Sequence, residues 1–322
     1  MAKKKASENA SENMVVDGRS MKISSGPVGT TDSVGSRVFD VFNYLIIGII
    51  SITTILPFIY VLGASFATEY ELQTRPMFLI PHDITVNAYR YIFSSSKLIR
   101  SFGNSVFITL CGTAINLFFT VTMAYAISKK HLRGRNVIMN LVIFSMFFSG
   151  GMIPSYLVTA TWLGLKETYW AILLPGAISA YNMMIVKNFF QGIPQELEES
   201  AHLDGCTDIS TLIRIVLPLS MPVLATFGLF YAVGHWNSYF SAMIYLTKND
   251  KMWPLQLILR QIIVAAEAAA SDTSMTELDI QNLPEQSVKM AVIVVSTFPI
   301  MCVYPFLQKY FVKGVMVGAL KG

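Results

Sequence analysis

The 322 residues are 53% hydrophobic and only 14% charged, an apolar surplus that a soluble domain of this size does not usually carry, so lipid is the expected solvent. Lys and Arg number 24 against 20 Asp and Glu, a net charge of +4. The excess basic residues collect in particular connecting segments, so the charge reports membrane orientation and gives no reason to expect nucleic acid.

Residues 1–35 are rich in Ser, Gly, Asn and Lys. They hold too little apolar surface to offset chain entropy, and the segment is expected to be a disordered cytoplasmic tail. The remainder, 36–322, is expected to form one membrane domain and begins with an apolar run near Val41 that has full span length. It is therefore expected to remain as an anchor, not to be cleaved as a signal peptide.

Six runs lack any Asp, Glu, Lys or Arg: Val41 to Thr68, Phe102 to Ser128, Asn136 to Leu165, Thr168 to Val186, Ile215 to Thr247 and Met290 to Gln308. A helix needs about 20 apolar residues to cross about 30 Å of hydrocarbon. The runs predict spans at about 41–64, 102–128, 137–160, 169–190, 219–246 and 289–310. The expected fold class is thus an all-α membrane protein of six transmembrane helices, and a soluble core would have to cover every one of these runs on all sides.

Basic residues set the orientation. They lie in the N-terminal tail (Lys3, Lys4, Lys5, Arg19, Lys22, Arg37), after the second run (Lys129, Lys130, Arg133, Arg135), after the fourth (Lys187, Arg214) and at the end (Lys309, Lys313, Lys321). Both termini are expected to face the cytoplasm, with the long loops near 69–101 and 248–289 outside. Pro57, Gly150-Gly151 with Pro154, Pro175-Gly176, Pro299 and Pro305 fall inside runs. Such residues are tolerated in a bundle, where they serve close packing or flexure. Cys111, Cys206 and Cys302 form no CxxC pair or ligand spacing, so neither a disulfide nor a metal site is expected.

Between runs four and five the chain reads Ile193-Pro194-Gln195-Glu196-Leu197-Glu198-Glu199-Ser200-Ala201-His202-Leu203-Asp204-Gly205. Pro194 suits a first helical position, the acids favour the positive end of the helix dipole, and Gly205 suits a left-handed stop. The pattern predicts a helix over 194–204, nearly three turns long. Leu197, Ala201 and Asp204 would form its docking strip. Thr207 or Asp208 can cap a second helix whose Ile209, Leu212, Ile213 and Val216 lead through Leu217-Pro218 into span five.

Glu199-Ser200-Ala201, three residues to Gly205, then nine to Ile215-Val216-Leu217-Pro218, resembles the E-A-A-x-x-x-G-x(9)-I-x-L-P signature of bacterial ABC importer permeases. The departures are Ser200 for the middle alanine and Cys206 after the glycine. The resemblance implies a type I ABC importer permease fold, with Glu198, Glu199, Ser200, Ala201, Leu203, Asp204, Gly205, Ile215, Leu217 and Pro218 coupling the chain to an ATPase. The ending Phe311 to Gly322 is similar to the tail of the carbohydrate-uptake branch. That branch implies a second, unlike permease forming a heterodimer, an ATPase dimer, an extracytoplasmic binding protein and an oligosaccharide substrate. The stretch from His235 to Phe240 is similar to that of permeases for plant-polysaccharide and uronate-containing fragments.

No G-x-x-x-x-G-K-[ST] stretch occurs in the chain. ATP and Mg are accordingly expected on the partner ATPase, with no cofactor held by this chain. Polar groups inside a span either line a path or tie helices together. His235, Asn237 and Tyr239, with Trp236 as a sugar-stacking face, are the candidates for the path. Asn116 and Tyr181-Asn182 are expected to tie helices.

The expected function is a non-catalytic permease subunit in the bacterial cytoplasmic membrane, importing a sugar or oligosaccharide by alternating access. A permease for a non-sugar solute is the nearest alternative. An intramembrane enzyme or a secondary transporter is more remote, because the six runs hold no acid and a single His, and no repeated halves are visible.

Overall fold

The computed structural model describes residues 15–16, 19–20, 34–75, 77–271 and 286–319. Most of the expected tail over 1–35 therefore lies outside the described residues, as do 272–285 of the long loop and 320–322 at the end. The chain divides into two compact units, 1–57 and 58–322.

In the first unit, two short antiparallel strands, β1 (Val15–Val16) and β2 (Arg19–Ser20), pair Val15 with Ser20. Helix α1 (Val34–Ala64) then carries the chain through Pro57 into the second unit. The side chains of its apolar stretch, including Leu45, Ile49, Ile52 and Ile55, are exposed, as befits a surface solvated by lipid.

Among the described residues the regular structure of the second unit is all helical. Thr68 accepts from the Glu71 amide to start α2 (Glu69–Thr74). Glu71 then holds the following turn by accepting from Arg75 (2.5 Å) and from the His82 amide (3.0 Å). After α3 (Asn87–Ser94), Ser95 caps α4 (Ser96–Ser128), a 33-residue helix about 50 Å long at 1.5 Å per residue.

Left-handed Gly134 opens α5 (Arg135–Phe147), and left-handed Gly151 precedes α6 (Met152–Tyr156) and a π-helical turn, Leu157–Trp162. The run expected as one span over 137–160 thus contains a break at 148–151, where Gly151 takes φ +82°, a conformation that glycine adopts without the steric cost other residues meet. A similar break at Pro175-Gly176 separates α7 (Trp170–Leu173) from α8 (Ala180–Gln191), which Ser179 caps.

Next come α9 (Gln195–Leu203), α10 (Asp208–Thr211), a π-helical turn over Leu212–Val216 and α11 (Leu217–Leu219). α12 (Met221–Asn237) follows at 85° to the 208–219 segment, so the fifth run turns sharply at Ser220. α13 (Phe240–Tyr245), a 3₁₀ turn (Asp250–Met252), α14 (Leu255–Ser271) and α15 (Gln286–Ala319) complete the chain. Pro299 and Pro305 lie within α15 without ending it. Among the described residues, Val38–Ala64, Ser96–Ser128 and Gln286–Val303 are long and apolar enough to cross a membrane, and the bent pair at Ser220 supplies a fourth.

α4 is the central post. Its Val121, Ala124, Tyr125 and Ile127 pack with Met183, Val186 and Phe190 of α8 and with Phe227 and Tyr231 of α12. Its Leu98 joins Ile92 of α3, Leu255 and Ile258 of α14, and Val288, Ala291 and Val292 of α15. The Asn104 side chain also donates to the carbonyls of Lys251 and Trp253, fixing the start of α14.

The turn after α6 is held by Glu167, a non-glycine residue at φ 62°. Its carboxylate accepts four hydrogen bonds, from the amides of Thr247, Lys248 and Asn249 and from the Thr247 hydroxyl. Burial alone would raise the carboxyl pKa, but the Thr247 hydroxyl and the three amides outweigh it and hold the group below its ordinary value. A depressed folded-state pKa contributes stability that is present above the unfolded value and lost as pH falls through the folded one. Protease protection of the 245–249 loop is expected to stay constant from neutral pH down to the ordinary carboxylate range and then decline. Glu167→Gln should lower protection at neutral pH and remove that decline; an unchanged acid profile in the variant would rule the clasp out.

Candidate functional site

The segment 194–218 is built as a short exposed helix with a defined stop. Pro194 sits one residue ahead of the first helical residue, in an extended conformation (φ −55°, ψ 130°), and not at the first helical position as expected. Its ring cannot donate a hydrogen bond, which is no loss where the first amides are unpaired anyway. At the other end Gly205 adopts φ +82°. The Gly205 amide donates to His202 O (3.0 Å) and the Cys206 amide to Ala201 O (2.9 Å), the paired 5→2 and 6→1 bonds of a Schellman stop. Thr207, not Asp208, caps the next helix by accepting from the Ser210 amide at 3.3 Å.

The faces of α9 differ from the expected strip. Ala201 is turned inward at 5% exposure, while Leu203 on the outer side is 89% exposed. Leu197 and Asp204 are exposed, as are Glu199 and Ser200, whose hydroxyl is spent on Glu196 O (2.8 Å). Beyond the turn, Leu212 and Val216 enter the core, but Ile209 is 71% exposed and Ile213 is also on the surface. Ile215 and Leu217 are half-buried and Pro218 is exposed, on the arm that leads to the bend at Ser220. The outer surface thus combines three apolar side chains, Leu203, Ile209 and Ile213, with the carboxylates of Glu196, Glu199 and Asp204. Residues 209 and 213 carried no such reading in the sequence, because their spacing fits an inward face equally well.

Glu198 is more shielded than Glu199 and pairs with Lys129, the residue that caps the C-terminal end of α4. The Lys129 ammonium also lies 4.2 Å from the Tyr125 ring centroid. Between α9 and the 128–135 loop is a cleft of about 810 Å³, with Lys129, Lys130, His131 and Arg135 on one wall and Glu198, Glu199, His202 and Asp208 on the other.

The four candidate path residues take four different partners. His235 Nε2 lies 2.5 Å from Asn116 Oδ1, and Asn116 Nδ2 donates to Gly176 O (2.5 Å). Asn116 therefore ties α4 to α12 and to the break before α8, the helix-tying role expected for it. The imidazole fits because Gly112 faces it: a Cβ there would stand 2.5 Å from His235 Nε2. One turn on, Thr120 and Tyr231 join their hydroxyls at 2.8 Å. Trp236 is 6% exposed, donates to Ser296 O (2.8 Å) and meets Phe102 edge-on at 5.7 Å. Its ring is occupied by packing between α12, α4 and α15. Asn237 donates to Val233 O one turn back, and Tyr239 packs on the cluster around Ile108 and Leu246. Among the described residues no group of three or more His, Cys, Asp and Glu could hold a metal ion.

The described residues thus form a helical bundle from which a short, stopped helix presents acidic and apolar side chains. Residues 116–317 match the family model described as binding-protein-dependent transport system inner membrane component, and the chain belongs to that family. It is similar to Protein LplC of Bacillus subtilis, 54% identical over 89% of this chain and 96% of that one. It is also similar to the polygalacturonan/rhamnogalacturonan transport system permease protein YtcP of the same species, 48% identical over 89% and 99%. The crystal structure of a bacterial ABC transporter involved in the import of the acidic polysaccharide alginate superposes with a TM-score of 0.79 at 34% identity, covering 87% of this chain and 98% of that one. The chain is accordingly a membrane permease component of an ABC import system, a transport subunit and not an enzyme, and it has the type I importer permease fold.

Proposed function

We propose that this chain is one of two unlike permeases that form the translocation path of an importer for uronate-containing oligosaccharides, spanning the bacterial cytoplasmic membrane six times with both termini inside. The basic residues after runs two and four and at both ends support this orientation. The partners are a second permease, an ATPase dimer that holds ATP and Mg, and an extracytoplasmic binding protein that delivers the sugar.

The observation that carries the reading is the outward surface of α9 and α10. Glu199, Leu203 and Asp204 stand exposed on and at the end of α9, which Gly205 stops, and Ile209 stands exposed on α10. An apolar side chain that is 89% exposed beside carboxylates suits a docking knob entering a groove of another protein. ATP-driven closure of the ATPase dimer would draw such helices together and bias the bundle between inward-open and outward-open states. The 311–322 tail would reach between the ATPase subunits.

The substrate class rests on relatives whose names specify polygalacturonan, rhamnogalacturonan and alginate, all rich in uronic acid. Proteoliposomes holding the assembled importer should take up a galacturonate trisaccharide in an ATP-dependent manner and discriminate against maltotriose by at least about tenfold, a 1.4 kcal/mol difference. Equal uptake of the two, or uptake of maltotriose alone, would overturn the uronate assignment.

A further inference from the structure

The ion pair between Lys129 and Glu198 joins α9 to the end of α4 by a path shorter than the covalent one. From Gly205 the chain passes through a four-residue helix, a π-helical turn at Leu212–Val216 and an 85° bend at Ser220 before it reaches α12. Non-standard turns and sharp bends are where helical rods flex.

Lys129, in contrast, ends α4 directly. Its ammonium is held between the Glu198 carboxylate and the Tyr125 ring, with both charged side chains mostly shielded from solvent. A cation there also suits the negative end of the α4 dipole. The last carbonyls of α4 are tied down as well: Arg135 Nε donates to Ile127 O (2.8 Å) and Gln191 Nε2, at the end of α8, donates to Ser128 O (3.2 Å). The ends of α4 and α8 and the inner face of α9 thus form one braced corner. From that corner α4 runs, one turn after another, to the Thr120–Tyr231 and Asn116–His235 contacts with α12.

We infer that Lys129 is a positioning residue: by pairing with Glu198 it latches the helix 195–203 to α4, so that displacement of the helix moves α4 as a rod while Glu199, exposed at the rim of the same cleft, is left to the ATPase. The inference rests on the reading of α9 as the docking helix. It assigns to two neighbouring glutamates different duties, the exposed one serving the motor and the shielded one gripping the bundle. Breaking the latch should leave the ATPase bound and hydrolysing but weaken its grip on the path.

The test uses the assembled importer in proteoliposomes with the galacturonate trisaccharide, reading sugar moved per ATP hydrolysed together with retention of the ATPase on purification. Lys129→Met should keep the ATPase bound and basal hydrolysis near wild type, while sugar moved per ATP falls between about twofold and thirtyfold, the range for residues that modulate coupling between sites. Lys129→Arg should restore the ratio, and Lys129→Glu with Glu198→Lys should transport better than either single change. An unchanged ratio in Lys129→Met, loss of the ATPase from that variant, or no recovery in the exchanged pair would each overturn the latch. Glu199→Lys with Gly205→Pro, measured alongside, separates the two readings. If it transports normally, the docking-helix reading falls; if it is inactive while Lys129→Met transports like wild type, only the latch falls.

Discussion

A chain carrying Glu199→Lys together with Gly205→Pro is expected to insert into the membrane at normal levels and to transport nothing, with binding-protein-stimulated ATP hydrolysis lost as well. Gly205 sits at φ +82°, whereas a proline ring locks φ near −65°, so the stop of α9 cannot form. Proline also deletes the amide that donates to His202 O. The helix end would then be free to continue or fray, and the orientation of Leu203 and Asp204 relative to Ile209 would be lost. Glu199→Lys adds a reversed charge at the centre of the exposed surface, where like-charge juxtaposition with a partner costs several kcal/mol by the general behaviour of interfaces. None of these positions is buried in the bundle, so folding should be spared. Purification yield and thermal melting check the insertion, and sugar uptake with stimulated hydrolysis checks the coupling. Wild-type uptake by the double variant would remove the basis for assigning this helix to the motor.

The second large effect is expected at Gly112. An added Cβ would meet His235 Nε2, Cδ2 and Cε1 at 2.5–2.6 Å, well inside contact distance. The imidazole is held in place by Asn116, so it cannot swing aside without breaking that bond and releasing Asn116 from Gly176 O as well. Gly112→Ala should therefore cost about 1–3 kcal/mol through overpacking. Loss of an interhelical hydrogen bond would add about 0.6 kcal/mol, the average measured within a membrane bundle. A fall in the melting temperature of the detergent-solubilised protein, together with reduced uptake, is the expected result. His235→Ala in the same chain should recover part of the loss, because it removes the atoms that the new methyl meets. If Gly112→Ala melts and transports like wild type, the close approach of α4 and α12 at this point is wrong.

The local chemistry of the 193–207 segment was readable because its signals act within a few residues. A glycine after an acidic, alanine-containing helix favours a left-handed stop, and Gly205 adopts it. Asn116 as a helix-tying residue was readable for a related reason: an amide inside a span must find a partner, whichever helix supplies it. Its partners, His235 at a separation of 119 residues and Gly176 at 60, were not. Trp236 shows the opposite outcome. A tryptophan beside polar residues in a span reads as a candidate sugar platform, yet its indole N–H is used by Ser296 O and its ring by Phe102.

What the sequence by itself determined is therefore the membrane solvent, the apolar runs, the position of the short exposed helix and the family signature, since hydropathy, charge placement and cap residues act over one span or one turn. The tertiary structure alone decided which side of α9 faces inward, that Ala201 is covered while Leu203 is bare, that the fifth run turns by 85° at Ser220, and that Lys129 meets Glu198. These outcomes depend on how each helix is rotated and slid against its neighbours. A periodic pattern leaves rotation and register open, and they are settled only when Gly112 admits His235 and the helices close around α4.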